Sequence, residues 1–371
     1  MSTPRTPAST LPEHALRLHE LDEAWRAPSA GERLDRIRRA APQLRERILA
    51  SGRGVGVRTF DLTELPYPTA FAFSGAAASP IPYVVMTNRM NVVQFATADG
   101  AMKTLLFNPT DVPRSAETPF FARLRGRLGE RLSRRLTTML KRPSATEHLV
   151  TLGLRPDDVD YIAFDHLHTQ DLRGHLGVKA GADDRGRAPI EAVFRRAKLL
   201  VWGPELDIFQ TLHPLQRPWY VADGVRGVPR DRLVVCDGDV LLGKGVALVR
   251  TPGHTVGNWS LVVNTDTGVW AVSENGVACD SYAPAASRIP GVRRYAEREG
   301  VEVVLNSNTL EGRNEQYTSM VLEKALVDRS RDAPEFYQHL SSSELTATPL
   351  TPGLSPTHRF GGIESGEIRL R

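Results

Sequence analysis

The feature that most constrains this chain is how its apolar residues are parcelled after Val57. Short runs rich in Val, Phe and Leu follow one another (VRTFDL, YVVMTN, NVVQFA and KTLLFN), separated by Pro, Gly and Asp. Runs of that length and composition, bounded by turn residues, are strands of a sheet. Asp99-Gly100 reads as a hairpin turn, because Asp-Gly tolerates a positive φ. Further on, Tyr161–Phe164 reads as a short buried strand, and IEAVFRRA followed by KLLVW as a helix leading into a strand. Residues 231–274 are strand-rich, with RLVVCDG, VALVRTPGH, WSLVVNT and GVWAVSE. A helix is expected over 289–299, a strand over 301–305 and a helix over 315–328. Alternation of this kind marks an α/β protein.

The flanks differ from this middle. Residues 12–50 read as helical, with Leu34, Ile37, Leu44 and Ile48 recurring at roughly helical spacing among arginines, and with Pro28 and Gly31 dividing the stretch in two. From Ser341 the chain is rich in Ser, Thr, Pro and Gly. The expected organisation is an N-terminal helical extension over 1–56, one main domain over 57–330 and a tail over 331–371. Because residues 1–50 precede every expected strand, they are expected to be dispensable for metal binding and free to serve a homo-oligomer contact or to cover a pocket. Within the main domain, Leu124, Leu128, Leu132, Leu136 and Leu140 repeat every four residues among many arginines. This spacing predicts a basic helix inserted over 119–142, packed by its leucine stripe with its arginines in solvent.

Charge and cysteine content narrow the function. Of 371 residues, 47 are basic and 43 acidic, a formal surplus of +4. So small a surplus argues against nucleic acid as the partner. The two cysteines, Cys236 and Cys279, allow neither a disulfide framework nor a zinc site of four thiolates. No apolar run reaches the roughly 18 residues that a membrane helix needs, and the first residues hold no signal-peptide run. A cytoplasmic enzyme with a small-molecule substrate is the expectation.

The chemistry concentrates in two stretches. In His166-Leu-His168-Thr-Gln170-Asp171, directly after a strand, residues i and i+2 of an extended segment point the same way, so the two imidazoles converge. Imidazole with carboxylate is a ligand set for zinc, iron or manganese. In Thr251-Pro-Gly-His254-Thr255, also after a strand, a tight Pro-Gly turn presents a third imidazole. Glu274 follows a further strand. Ligands at strand ends lie along one edge of a sheet, where open α/β sheets hold their ligands.

The order LGLRPDDVDYIAFDHLHTQDLRG, then TPGHTVGNWSLVV, then a carboxylate after the next strand resembles the metallo-β-lactamase-fold hydrolases over roughly residues 57–330. The resemblance implies a four-layer αββα sandwich with metal at one edge, between the sheets. The family motif H-x-H-x-D-H-x-G-G falls on His166, His168, Gln170 in place of the aspartate, Asp171 in place of the third histidine, and Gly174. It implies His166, His168 and His254 as metal ligands, with Glu274 where a bridging aspartate stands and Asn308 where a final histidine stands. Three arrangements follow. One ion sits on the three histidines with Asp171 and Glu274 nearby; two ions sit in a carboxylate-rich site suited to iron or manganese; or the site is degenerate.

Of the remaining histidines, His358 is a candidate extra ligand if the tail folds back, and His213 a candidate substrate contact in an aromatic loop. His14, His19, His148 and His339 fall in expected helices. Trp202, Trp219, Tyr220 and Phe209 suggest an apolar pocket wall, and with it a carboxylic ester or lactone. The expected function is a metal-dependent hydrolase, zinc first among the metals, in which metal-activated hydroxide attacks an ester, lactone or related carbonyl. Asp171 or Glu274 is its expected acid–base group. The alternatives are an iron-dependent redox enzyme of the same fold and a degenerate binding protein.

Overall fold

In a computed structural model, residues 11–129, 142–179, 188–307 and 312–370 are described. Among them two sheets are present. One runs in the order β1 (Leu16–Leu18), β8 (Asp239–Gly243), β9 (Val246–Arg250), β10 (Trp259–Thr265), β11 (Gly268–Ser273) and β12 (His339–Ser341). The other runs β14 (Glu364–Gly366), β2 (Gly56–Pro68), β3 (Tyr83–Ala96), β4 (Met102–Phe107), β5 (Tyr161–Ala163), β6 (Lys198–Trp202) and β7 (Leu233–Cys236), and β13 (Ser343–Leu345) also pairs with β3.

The side chains of each strand divide between two faces. Val93, Phe95, Leu105, Phe107 and Leu200 of the second sheet meet Leu242, Leu248, Leu261, Val263 and Val272 of the first, and these form the layer between the sheets. On the far side of the first sheet, Leu241, Val249, Val262 and Ala271 are covered by helices Ala30–Ala50 and Arg313–Leu326. Ser29 starts the first of these helices by accepting from the Glu32 N–H, and Ile37, Ala41, Leu44 and Ile48 form its buried stripe. On the far side of the second sheet, Val84, Met86, Val92, Leu106 and Ile162 pack with helix Ala145–Thr151 and the loops around it. The layers are helix, sheet, sheet, helix: the αββα sandwich that the motifs imply.

Several local expectations are corrected. YVVMTN and NVVQFA belong to one long strand, because nothing in Asn88-Arg89-Met90 breaks the ladder to β2. Leu16–Leu18 is not helical. It pairs antiparallel with Leu241–Asp239 as the edge of the first sheet, so the N-terminal segment does not precede every strand. Arg250 fastens it there, bonding Asp22 at 2.7 Å and Asp239 at 2.9 Å. IEAVFRRA forms no helix: Ile190 bridges to Val178, and Phe194 N–H donates to the His175 carbonyl. Residues 301–305 form no strand, and Val304 N–H donates to the Ser281 carbonyl. The described part of the basic insertion is helix Pro119–Leu128, which stops at Gly129 with φ +78°. Leu132, Leu136 and Leu140 lie outside the described residues. Near the C-terminus, β12 continues the first sheet and β13 and β14 join the second, so residues 339–345 cross from one sheet to the other. His339 therefore lies in a strand, not a helix. Among the described residues no helix is long and apolar enough to cross a membrane.

Candidate metal centre

Strand direction gathers the site. β4, β5 and β6 are parallel, as are β9, β11 and β12, so each trio delivers its C-terminal ends to one edge. Asn108 follows β4, Asp165 and His166 follow β5, and Glu205 follows β6. From the other sheet, His254 follows β9, Glu274 follows β11, and Ser342 follows β12.

His166, His168 and His254 converge, with one ligand atom from each lying within 4.8 Å of the others. Among the described residues this is the one such group of three. The ring centroids of His166 and His254 are 4.5 Å apart, and those of His166 and His168 are 4.7 Å apart. Two of the three rings, His166 and His254, are held from behind. His166 Nδ1 meets Asp165 Oδ1 at 2.7 Å, while the same oxygen accepts the His166 N–H at 2.8 Å. His254 Nδ1 faces the Asn306 carbonyl at 3.4 Å. These contacts leave Nε2 of both rings for the centre and fix their tautomers.

Three backbone positions with positive φ shape the site. Gly253 has φ +133°, and a Cβ there would meet the Gln316 nitrogen at 2.1 Å, so only glycine fits the turn that presents His254. Thr169, directly after His168, has φ +62°, and Asn108 has φ +59°. Positive φ is costly for such residues, and it persists where the surroundings enforce it. Asn108 is held by the Asp165 N–H at 3.0 Å and by Ser342 Oγ at 2.8 Å.

The electrostatics suit a cation. Burial, reinforced by the neighbouring imidazoles, holds His168 well below the ordinary imidazole value and His254 down to about 3, so both remain neutral near pH 7. Burial by itself would raise Asp165, but His166 and, less strongly, His254 outweigh it and hold this carboxyl low. Glu274 is pushed well up by burial and by the charge of Asp165. Three converging imidazoles with a carboxylate behind one of them are a fitting donor set for zinc.

The other sequence candidates are placed as follows. Glu274 lines the cleft beside the histidines, and its main-chain carbonyl accepts from Asn306 Nδ2 at 3.0 Å. Asp171 stands outside the cluster, buried and held by Arg173 at 2.6 and 2.9 Å, with Arg114 at 3.6 Å. Gln170 lines the cleft and donates to Thr110 Oγ1 at 3.1 Å. Asn308 lies outside the described residues. His358 is stacked on Phe336, its carbonyl accepting from Cys279 Sγ at 2.9 Å, and it lies outside the cluster. His213 sits in an exposed loop and caps its own turn by accepting from the Leu215 N–H. Of the four aromatic residues, Trp219 lines the cleft. Tyr220 and Phe209 pack behind it, and Trp202 borders the layer between the sheets.

Sequence reasoning missed Asp165 and Glu205. Asp165 could have been found, because a carboxylate adjoining a ligand histidine on a strand end is a natural orienting group. Glu205 carries no comparable spacing. It is fully buried and accepts from the Leu167 N–H at 2.7 Å, Tyr220 OH at 3.1 Å and Thr255 Oγ1 at 2.7 Å. Burial raises its carboxyl, against the pull of His166 and of these donors.

No family model and no curated protein matches the sequence. Among solved structures, the chain is similar to a quorum-quenching N-acyl homoserine lactone lactonase at 16% identity, over 74% of this chain and 89% of that one, with a TM-score of 0.46. It is similar to a dizinc quorum-quenching lactonase at 13% identity, over 86% and 99%, with a TM-score of 0.47. A hydrolase of the β-lactamase superfamily is similar at 12% identity, over 86% and 99%, with a TM-score of 0.45. These likenesses are of fold.

Proposed function

We propose that this protein is a metal-dependent hydrolase that takes one zinc ion on His166, His168 and His254 and opens an uncharged ester or lactone. The observation that carries this reading is the three-imidazole cluster set in a cleft whose described lining holds no lysine or arginine. A phosphate or carboxylate group would find no cationic side chain there to recognise it. An uncharged carbonyl substrate needs none.

When bound, zinc acidifies water and polarises a carbonyl oxygen. The remaining work falls to the chain. The acidic side chains of the described lining are Asp165 and Glu274, and both are buried. Asp165 is engaged by His166, which leaves the Glu274 carboxyl to hold and pass the proton between attacking water and leaving oxygen. Leu65, Met86, Phe121 and Trp219 form an apolar wall for the acyl arm. Phe120 backs this wall by stacking on Trp219 at 4.6 Å. Asn88, Asn108, Thr110 and Gln170 add neutral polar groups to the same lining, able to orient an ester or amide group. The engagement of Asp171 by two arginines also favours zinc on imidazoles over a carboxylate-rich iron site.

The test is hydrolysis by the zinc-loaded protein of aryl butyrates and γ-lactones, set beside aryl phosphates. Ester or lactone cleavage that is lost on chelation and in Glu274→Gln is expected. Faster cleavage of the phosphate, or ester cleavage indifferent to chelation, would overturn the assignment.

A further inference from the structure

The three ligands come from two loops that are far apart in sequence, and the cluster exists only while those loops hold a fixed separation. Glu205 is the side chain that spans them. Its Oε1 accepts the N–H of Leu167, the residue between His166 and His168, at 2.7 Å. Its Oε2 accepts the hydroxyl of Thr255, the residue after His254, at 2.7 Å. Tyr220, whose ring lies 4.8 Å from that of His168, donates its hydroxyl to Oε1 at 3.1 Å. The backbone of Glu205 is equally confined, since a Cβ on Gly257 would meet its nitrogen at 2.3 Å. One carboxyl group thus ties both ligand loops and the aromatic segment that packs against His168.

We infer that Glu205 is a positioning residue for the metal centre: it sets the distance between the His166–His168 loop and the His254 turn, and so sets metal affinity without touching the ion. This rests on the reading of the three histidines as the metal site. Hydrogen bonds to a buried carboxylate are among the stronger ones, and removing such an outer partner commonly costs roughly 10- to 100-fold in metal affinity. Glutamine keeps the shape. Its Oε1 retains the Leu167 and Tyr220 donors, and its amide donates to Thr255 Oγ1 once that hydroxyl turns.

The experiment measures zinc affinity by competition with a chromophoric chelator, and the thermal midpoint with and without zinc, for wild type, Glu205→Ala, Glu205→Gln and Thr255→Val. Glu205→Ala is expected to bind zinc roughly 10- to 100-fold more weakly. The rise in midpoint produced by zinc should shrink with it. Glu205→Gln should restore most of the affinity, and Thr255→Val should weaken it by a smaller factor. If Glu205→Ala does not fold, Glu205→Gln and Thr255→Val decide the matter. Zinc affinity at the wild-type level in Glu205→Ala, or in Thr255→Val where the alanine variant does not fold, would overturn the inference and leave Glu205 a fold-stabilising residue only. Failure of the wild type itself to bind zinc would instead overturn the reading of the site.

Discussion

Asp171 and Asp165 are both buried carboxylates within a few residues of the ligands, yet they do different work. Asp165 spends one oxygen on the ring and the N–H of His166. Asp171 is neutralised by Arg173, with Arg114 nearby, and is absent from the histidine cluster. Asp171→Asn is therefore expected to leave zinc affinity close to wild type. It should lower stability by about 1–3 kcal/mol, because the half-buried guanidinium of Arg173 loses its counter-charge. Denaturant unfolding and chelator competition on the same variant check the two halves, and a large loss of zinc affinity at unchanged stability would return Asp171 to the ligand set. The sequence shows that an acid stands at 171, but its partner Arg114 comes from a helix many residues earlier, and nothing in the local spacing announces that ion pair.

At the scale of elements, the turn between β9 and β10 is the most exacting. Gly253 combines φ +133° with a close approach to the start of helix Arg313–Leu326, where Gln316 Nε2 donates to the carbonyls of Asn275 and Asn306. Gly253→Ala must either move that helix or twist the turn, at a cost of about 2–4 kcal/mol. It is expected to weaken zinc binding as well, because His254 is the next residue. An unchanged midpoint and affinity would show that the turn has more room than its geometry allows. This element was legible beforehand, since Pro-Gly-His after a Val-rich run specifies a turn and what it presents. The His166–His168 pair was legible for the same reason, as a period of two on an extended segment. Glu205 was not, because its role depends on three donors from segments that only the fold brings together. His339 was misplaced because a three-residue strand within a Ser- and Thr-rich stretch has too little period to register. In the fold it is buried, with Ser273 Oγ at 3.1 Å and Tyr282 stacked on it.

For the whole molecule, the outer segments are part of the sandwich. Helix Ala30–Ala50 covers one face of the first sheet, and Leu21, Ile37, Leu44 and Ile48 are almost wholly buried there. Burying a side chain of that size is worth about 1.5–3 kcal/mol, comparable in sum to the whole stability of a typical domain. A chain beginning near Gly52 is thus expected to be insoluble or unfolded rather than to retain the metal centre. A folded truncation with wild-type zinc affinity would contradict this. The α/β class was legible from the strand runs, and the four-layer order only through the resemblance that the motifs carry. The helical reading of residues 12–18 failed because leucines two apart suit a strand edge as well as a helix face, and only the open edge of β8 decides between them. The most direct measurement of the whole is elemental analysis of the full chain after zinc loading and removal of excess metal, beside His168→Ala and the exposed-loop control His213→Ala. One zinc per chain in the wild type and in His213→Ala, with most of it lost from His168→Ala, is the expected result; a wild type that retains no metal, or equal metal in the two variants, would contradict the site.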